Sequence, residues 1–282
     1  MKQKIIYIAG LGHSGSTILD LALGAHSGII GLGEVYTLLD GERRKKHYTS
    51  LCSCGKPATE CSFWKDVPQI LEEQGTTEIL YEKMIGHFRA LFGEESILVD
   101  SSKNSYGYLK YLNEKHDLKV LFLVRDVRSW SYSRHLQNRK PILLLALQWY
   151  LENRKLLFRF RKMGIPFMLI GYEEIALYPE HVMPLISRYL DIPYEPVMLE
   201  PDKSKSHIIS GNIARVDALK RRRFIYDARW MLSLRINLFS PLLSLLNGWS
   251  KKYVYSNISG QNRDEFFLFG TGRRAEMTRK YN

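Results

Sequence analysis

The apolar positions fall into two rhythms. Lys4 to Ala9, Lys-Ile-Ile-Tyr-Ile-Ala, is a short, mostly apolar and β-branched run stopped by glycines, as a central parallel strand is, and from Ser14 to Gly24 the apolar residues return at helical spacing. This predicts a strand, a glycine loop and a helix. Similar runs predict strands at 96–99, ending in Asp100-Ser-Ser-Lys103, at 119–124, ending in Arg125-Asp126, and at 166–170, which has Pro166 at its start. Helical spacing fills the gaps at 105–116, 127–138, 141–163 and 173–190, with Pro141 suited to a first turn. Strands alternating with helices predict an α/β fold, a doubly wound parallel sheet flanked by helices.

Two regions break the alternation. Residues 40–95 carry a basic patch, Arg43-Arg-Lys-Lys46, three cysteines and a charged amphipathic stretch, and are expected to form a helical, cysteine-containing insertion over one face. Beyond Arg223 the chain is amphipathic, with Phe224, Tyr226 and Trp230 on a pattern that suits a core helix or a membrane surface. The expected organisation is one domain over 1–260 and a polar, mobile tail over 261–282.

Length and charge narrow the function. A chain of 282 residues with 45% hydrophobic residues can bury a sizeable core. Its net charge of +12 favours an anionic partner, and the excess lies late: from Arg215 onward there are 14 basic and 5 acidic residues, a local +9. Arg235, Asn237 and Asn247 interrupt the longest apolar stretch, so no transmembrane span is expected, which leaves peripheral membrane contact open. Gly10, Gly12 and His13 follow the first apolar run too soon for a signal peptide, and three cysteines are an odd count for a disulfide framework. A cytoplasmic protein is expected. His47, Cys52, Cys54 and Cys61 are four soft ligands within fifteen residues, enough for a structural zinc or simply a set of thiols, at a spacing unlike a standard finger.

The glycine loop Gly10-Leu-Gly-His-Ser-Gly-Ser-Thr17 fits three patterns in part. Gly10, Gly12 and Gly15 match a dinucleotide fingerprint, with Glu34 near the distance for a ribose contact. Gly10, Gly15 and Thr17 match a Walker A loop, but Ser16 stands where the lysine belongs. In the third reading the backbone N–H groups of residues 12–17, with the hydroxyls of Ser14, Ser16 and Thr17, converge on one phosphate at a helix start.

His13-Ser14-Gly15-Ser16-Thr17 resembles the loop of the sulfotransferases that use 3′-phosphoadenosine 5′-phosphosulfate (PAPS), a P-loop-like family in which it holds the 5′-phosphosulfate. The family usually has Lys or Arg where this chain has His13, which is only partly charged near neutral pH. The resemblance extends to Arg125 at a strand end and Ser133 eight residues on, the spacing of the family's 3′-phosphate site. Physically, a guanidinium can fork a phosphate and a hydroxyl two helical turns away can face it. More loosely, Ser206-His-Ile-Ile-Ser-Gly211-Asn212-Ile-Ala-Arg215 resembles the family loop that covers the nucleotide, which implies contacts from Gly211, Asn212 and Arg215. Gly12 joins the implied nucleotide site with the rest of its loop.

Asp100-Ser-Ser-Lys103-Asn104 and Gly31-Leu-Gly33-Glu34 are similar to segments of the tyrosylprotein sulfotransferase branch. That likeness implies Lys103 as stabiliser of the transferring sulfate and Glu34 as general base, with His13 completing the catalytic set. The implied reaction is sulfuryl transfer from PAPS to a hydroxyl or amine of a carbohydrate, lipid or small metabolite. Positioning and cations carry such an in-line displacement, and no metal is required. The competing readings are a P-loop kinase, a basic nucleic-acid-binding protein, for which no binding module is present, and an NAD-dependent oxidoreductase from the glycines alone.

Overall fold

In the computed structural model, residues 2–72, 75–103 and 107–257 are described. The expected tail at 261–282 lies outside them. Five strands, β1 (Lys4–Gly10), β2 (Ile29–Gly31), β3 (Ile97–Lys103), β4 (Asp117–Val124) and β5 (Phe167–Gly171), form one sheet in the order β2-β3-β1-β4-β5. Every pairing is parallel. The α/β expectation holds.

The period of two along each strand divides the core between the faces of the sheet. Ile5, Tyr7 and Ala9 of β1, with Leu118, Val120 and Phe122 of β4, pack on one side against the helices Thr77–Phe92 and Ile142–Met163. Ile6 and Ile8, with Leu121 and Leu123, pack on the other side against Ser16–Leu23 and Pro179–Tyr189. Both faces of the strands are buried, hence their near-continuous apolar sequence.

The 40–95 segment adds to the first of these cores rather than building its own. Cys52, Cys61, Phe63, Trp64, Tyr81 and Phe88 are all buried in it.

Three expectations change in detail. β2 has only three residues, too few to show alternation, and it was not anticipated. The helix expected over 173–190 divides into Tyr172–Leu177 and Pro179–Tyr189, because Pro179 has no N–H to continue the first helix and opens the second. The helix expected over 105–116 spans Leu109–Lys115, and residues 105 and 106 lie outside the described set. Late in the chain Phe224, Tyr226 and Trp230 are buried, and the helix Leu234–Val254 starts at Ser233, whose hydroxyl accepts from Ile236 N–H at 3.4 Å. No helix among the described residues is long and apolar enough to cross a membrane.

Candidate active site

The chain winds from β1 to one edge of the sheet and later crosses to the other, so the C-terminal end of β1 lies where the winding reverses. There the glycine loop leaves β1 and enters the helix Ser16–Leu23. Gly15 has φ 93, and a Cβ on it would come within 2.3 Å of the Tyr172 ring, so both conformation and contact call for glycine. His13 also has a positive φ, 70°, and its Nδ1 lies 3.3 Å from Ser133 Oγ.

A cleft of about 1170 Å³ opens over this point. Of the expected site residues, Gly12, His13, Gly15, Ser16, Thr17, Glu34, Lys103, Arg125, Ser133, Gly211 and Asn212 line it. Thus residues from six separate stretches of sequence meet. Asn212 N–H donates to Thr17 Oγ1 at 3.3 Å, which ties the late loop to the first helix.

Glu34 and Lys103 meet as an ion pair with both side chains largely buried. The approach of Lys103 has a backbone cause: the register of β3 against β1 slips by one residue between Tyr7/Asp100 and Ala9/Lys103, and Lys103 takes φ 63. Beneath it, buried Asp100 accepts from Tyr81 Oη at 3.0 Å, Tyr108 Oη at 2.7 Å and Ser102 N–H at 2.9 Å, anchoring the strand end. The segment that leads to Glu34 packs on the helix Ser16–Leu23. Asp20 lies under Gly31, a Cβ on Gly31 would come within 1.7 Å of Asp20 Oδ1, and Ser206 Oγ donates to Asp20 at 3.5 Å. Burial pushes Asp20 up to about 7.

Arg125 is only 6% exposed and has partners on every side. Its Nε donates to Ser129 Oγ at 2.8 Å, Nη1 to the His13 carbonyl at 2.8 Å and Nη2 to Asp227 Oδ2 at 2.6 Å, while its guanidinium stacks 4.8 Å from the Tyr172 ring centre. Asp227 also accepts from Arg229 Nε at 2.7 Å, so one carboxylate sits between two guanidiniums at the edge of the cleft. Burial, then Arg134 and Arg125, hold the His13 imidazole below its ordinary value.

Two expected nucleotide residues stand elsewhere. Ser14 is buried behind the loop rather than among the cleft-lining residues. Arg215 is also absent from the lining; its Nη1 donates to the carbonyls of Gly211 and Asn212 at 3.3 and 3.4 Å, and it braces its own loop. His47 does not join the cysteines: its electrostatic neighbours are Glu34, Arg215 and Lys46, because the helix Gly41–His47 carries it toward the cleft. The histidine beside the cysteines is His207.

Residues 6–196 match the sequence profile described as the Sulfotransferase family, well over half of the chain. The chain belongs to the sulfotransferase family. Among solved structures, it is similar to the sulfotransferase domain of the Synechococcus PCC 7002 olefin synthase, with TM-score 0.51 and 18% identity over 86% of this chain and 96% of that one. It also matches the sulfotransferase domain of the curacin biosynthetic pathway, with TM-score 0.47 and 17% identity over 86% of this chain and 98% of that one. A third match is sulfotransferase STF1 of Mycobacterium tuberculosis H37Rv, with TM-score 0.48 and 14% identity over 73% of this chain and 72% of that one. Among curated proteins no sequence matches significantly.

Several cleft residues of this sulfotransferase were not anticipated. Arg134 and Gln137 share a helix with Ser133, and a count of four from Ser133 could have found Gln137. Tyr172, Arg223, Asp227 and Arg229 come from segments with no local motif, and only the folded chain brings them to the loop.

Proposed function

We propose that this sulfotransferase moves the sulfuryl group of PAPS to a hydroxyl or amine of a carbohydrate, lipid or small-metabolite acceptor. One observation carries the reading: the hydroxyl-bearing loop, Arg125 with Ser133, and the Glu34–Lys103 pair line a single cleft. In this reading the N–H groups of residues 12–17 and the hydroxyls of Ser16 and Thr17 hold the 5′-phosphosulfate at the start of a helix. Arg125 and Ser133 take the 3′-phosphate, and Gly211 and Asn212 cover the nucleotide.

The acceptor oxygen or nitrogen attacks sulfur in line while the bond from sulfur to the phosphate oxygen breaks, and that electron pair leaves with 3′-phosphoadenosine 5′-phosphate. Glu34 takes the acceptor proton. It is placed for this at the cleft, beside Lys103. Lys103 stabilises charge on the sulfuryl oxygens, having exchanged one anionic partner for another, and His13 adds a hydrogen bond from the loop. The residues required are donors, a cation and a base; no metal enters the step.

Ile213, Ile225, Met231 and Leu232 form an apolar part of the cleft wall, which favours an acceptor with a hydrocarbon portion over a bare sugar. The odd number of cysteines suits a reducing compartment, and we assign the protein to the cytoplasm.

Calorimetric titration with 3′-phosphoadenosine 5′-phosphate tests the donor site. Arg125→Ala should weaken binding more than tenfold, about 1.4 kcal/mol; unchanged affinity would overturn the assignment. Glu34→Gln should retain nucleotide affinity and lose turnover with PAPS, and retained turnover would remove Glu34 as base. Magnesium-dependent ATP turnover by the wild type would point to a kinase instead.

A further inference from the structure

A second group of reactive side chains lies away from the cleft. The turn Cys52-Ser-Cys54-Gly55 closes through Gly55 N–H to the Cys52 carbonyl at 2.9 Å, with Gly55 at φ 88. Cys61 follows the short helix Ala58–Glu60 and returns beside Cys52. The fourth member comes from far along the chain. Ser53 N–H donates to the Ile208 carbonyl at 3.0 Å, Ile208 N–H donates to Ser53 Oγ at 2.8 Å, and Ser53 Oγ donates to the Ser206 carbonyl at 2.5 Å. This ladder sets His207 against the thiols, and Trp64 Nε1 fixes its carbonyl at 2.6 Å.

Cys61 Sγ lies 3.6 Å from Cys52 Sγ and 3.1 Å from His207 Nδ1, and the ligand atoms of Cys52, Cys54, Cys61 and His207 all lie within 4.8 Å of one another. A tetrahedral zinc with bonds of about 2.3 Å to sulfur and about 2.0 Å to nitrogen sets its ligand atoms roughly 3.5–3.8 Å apart. The separations found bracket that range, so shifts of about 1 Å complete the tetrahedron. We propose that Cys52, Cys54, Cys61 and His207 hold a structural zinc ion.

Three thiolates and one imidazole form a soft, closed set that leaves no position for substrate, as structural zinc sites do. A Cys52–Cys61 disulfide is the competing fate of the two nearest thiols. It would leave Cys54 and His207 without a part.

The zinc would pin the 40–95 segment to the stretch 206–208, His207 lying four residues before Gly211 at the cleft. It acts on the shape of the site, not on the transfer.

Protein grown with added zinc and purified without chelator should carry about one zinc per chain by elemental analysis. A mercurial reagent that caps thiols should release it. Growth on cobalt(II) should give the visible bands of a tetrahedral, thiolate-bound ion. In competition with a chelator of known affinity, Cys54→Ser and His207→Ala should each bind zinc at least tenfold more weakly, His207→Cys should retain it, and His47→Ala should match the wild type. Cys54 is exposed, so its replacement leaves the buried packing of Cys52 and Cys61 in place. Metal-free wild type, undiminished zinc affinity in both the Cys54 and His207→Ala variants, or a Cys52–Cys61 disulfide in freshly purified protein would each overturn the proposal. Because the wild-type metal content is read directly, a variant that fails to fold does not remove the test.

Discussion

His13 stands half-buried between Ser133 and two guanidiniums, and its imidazole is held below the usual range by burial, Arg134 and Arg125. A dianion placed on the loop would reverse that balance. Its negative charge raises the imidazole pKa, so binding takes up a proton at any pH between the free and the bound value. Affinity for 3′-phosphoadenosine 5′-phosphate should therefore rise as pH falls through the bound value, and level off below the free value, which lies under the ordinary 6.5. His13→Gln should lack this component, which calorimetry in buffers of different ionisation enthalpy reads as lost proton uptake; equal uptake in both proteins would exclude it. Histidine in this place makes a fixed charge into a conditional one. The spacing from Arg125 to Ser133 and the hydroxyls of the loop were legible in sequence because each lies within one local strand, loop and helix. Asp227 and Tyr172 were not, since nothing near either residue signals that it ends beside Arg125.

At the scale of elements, the glycine loop and the long helices were legible from periodicity, whereas β2 and the slipped end of β3 were not. Three residues show no alternation, and a one-residue register slip leaves no mark in composition. Yet these two elements carry Glu34 and Lys103 to each other. Close by, Asp20 joins the helix Ser16–Leu23 to the segment after β2. With its pKa raised to about 7 from an ordinary 3.8, folded Asp20 binds a proton over a range where the unfolded chain has lost it. The folded state is therefore favoured at low pH at this position, and that advantage is lost as pH rises from 3.8 through about 7. Asp20→Asn removes the titration and can still accept from Ser206. The variant should gain stability relative to wild type on going from about pH 5 to about pH 8, by an amount on the order of a few kcal/mol at most, read by denaturant unfolding at each pH. A difference independent of pH would show that Asp20 titrates normally.

Over the whole molecule, the parity of β1 and β4 dictated a sheet buried on both faces, and the alternation of strands and helices dictated its parallel sense. What sequence alone did not yield is how the last third of the chain returns over the C-terminal ends of the strands. That return brings 206–212 to the first helix and 223–232 to the rim of the cleft, where buried apolar side chains such as Ile209 and Tyr226 and long-range hydrogen bonds both hold it.

The pairing of Arg125 with Asp227 follows from that return. The protein contains its own surrogate for the anion that Arg125 is proposed to bind, a carboxylate that faces the nearly buried guanidinium and is shared with Arg229. An incoming phosphate must then compete with an internal rival, and measured affinity is the difference between two attractions to the same cation. Asp227→Asn should separate them, giving tighter nucleotide binding by titration alongside a lower melting temperature of the empty protein. Weaker binding in that variant would mean instead that the carboxylate aims the guanidinium. With Asp227 in place, nucleotide release need not strand a bare charge, and each turnover can end with the carboxylate reclaiming the guanidinium as product departs.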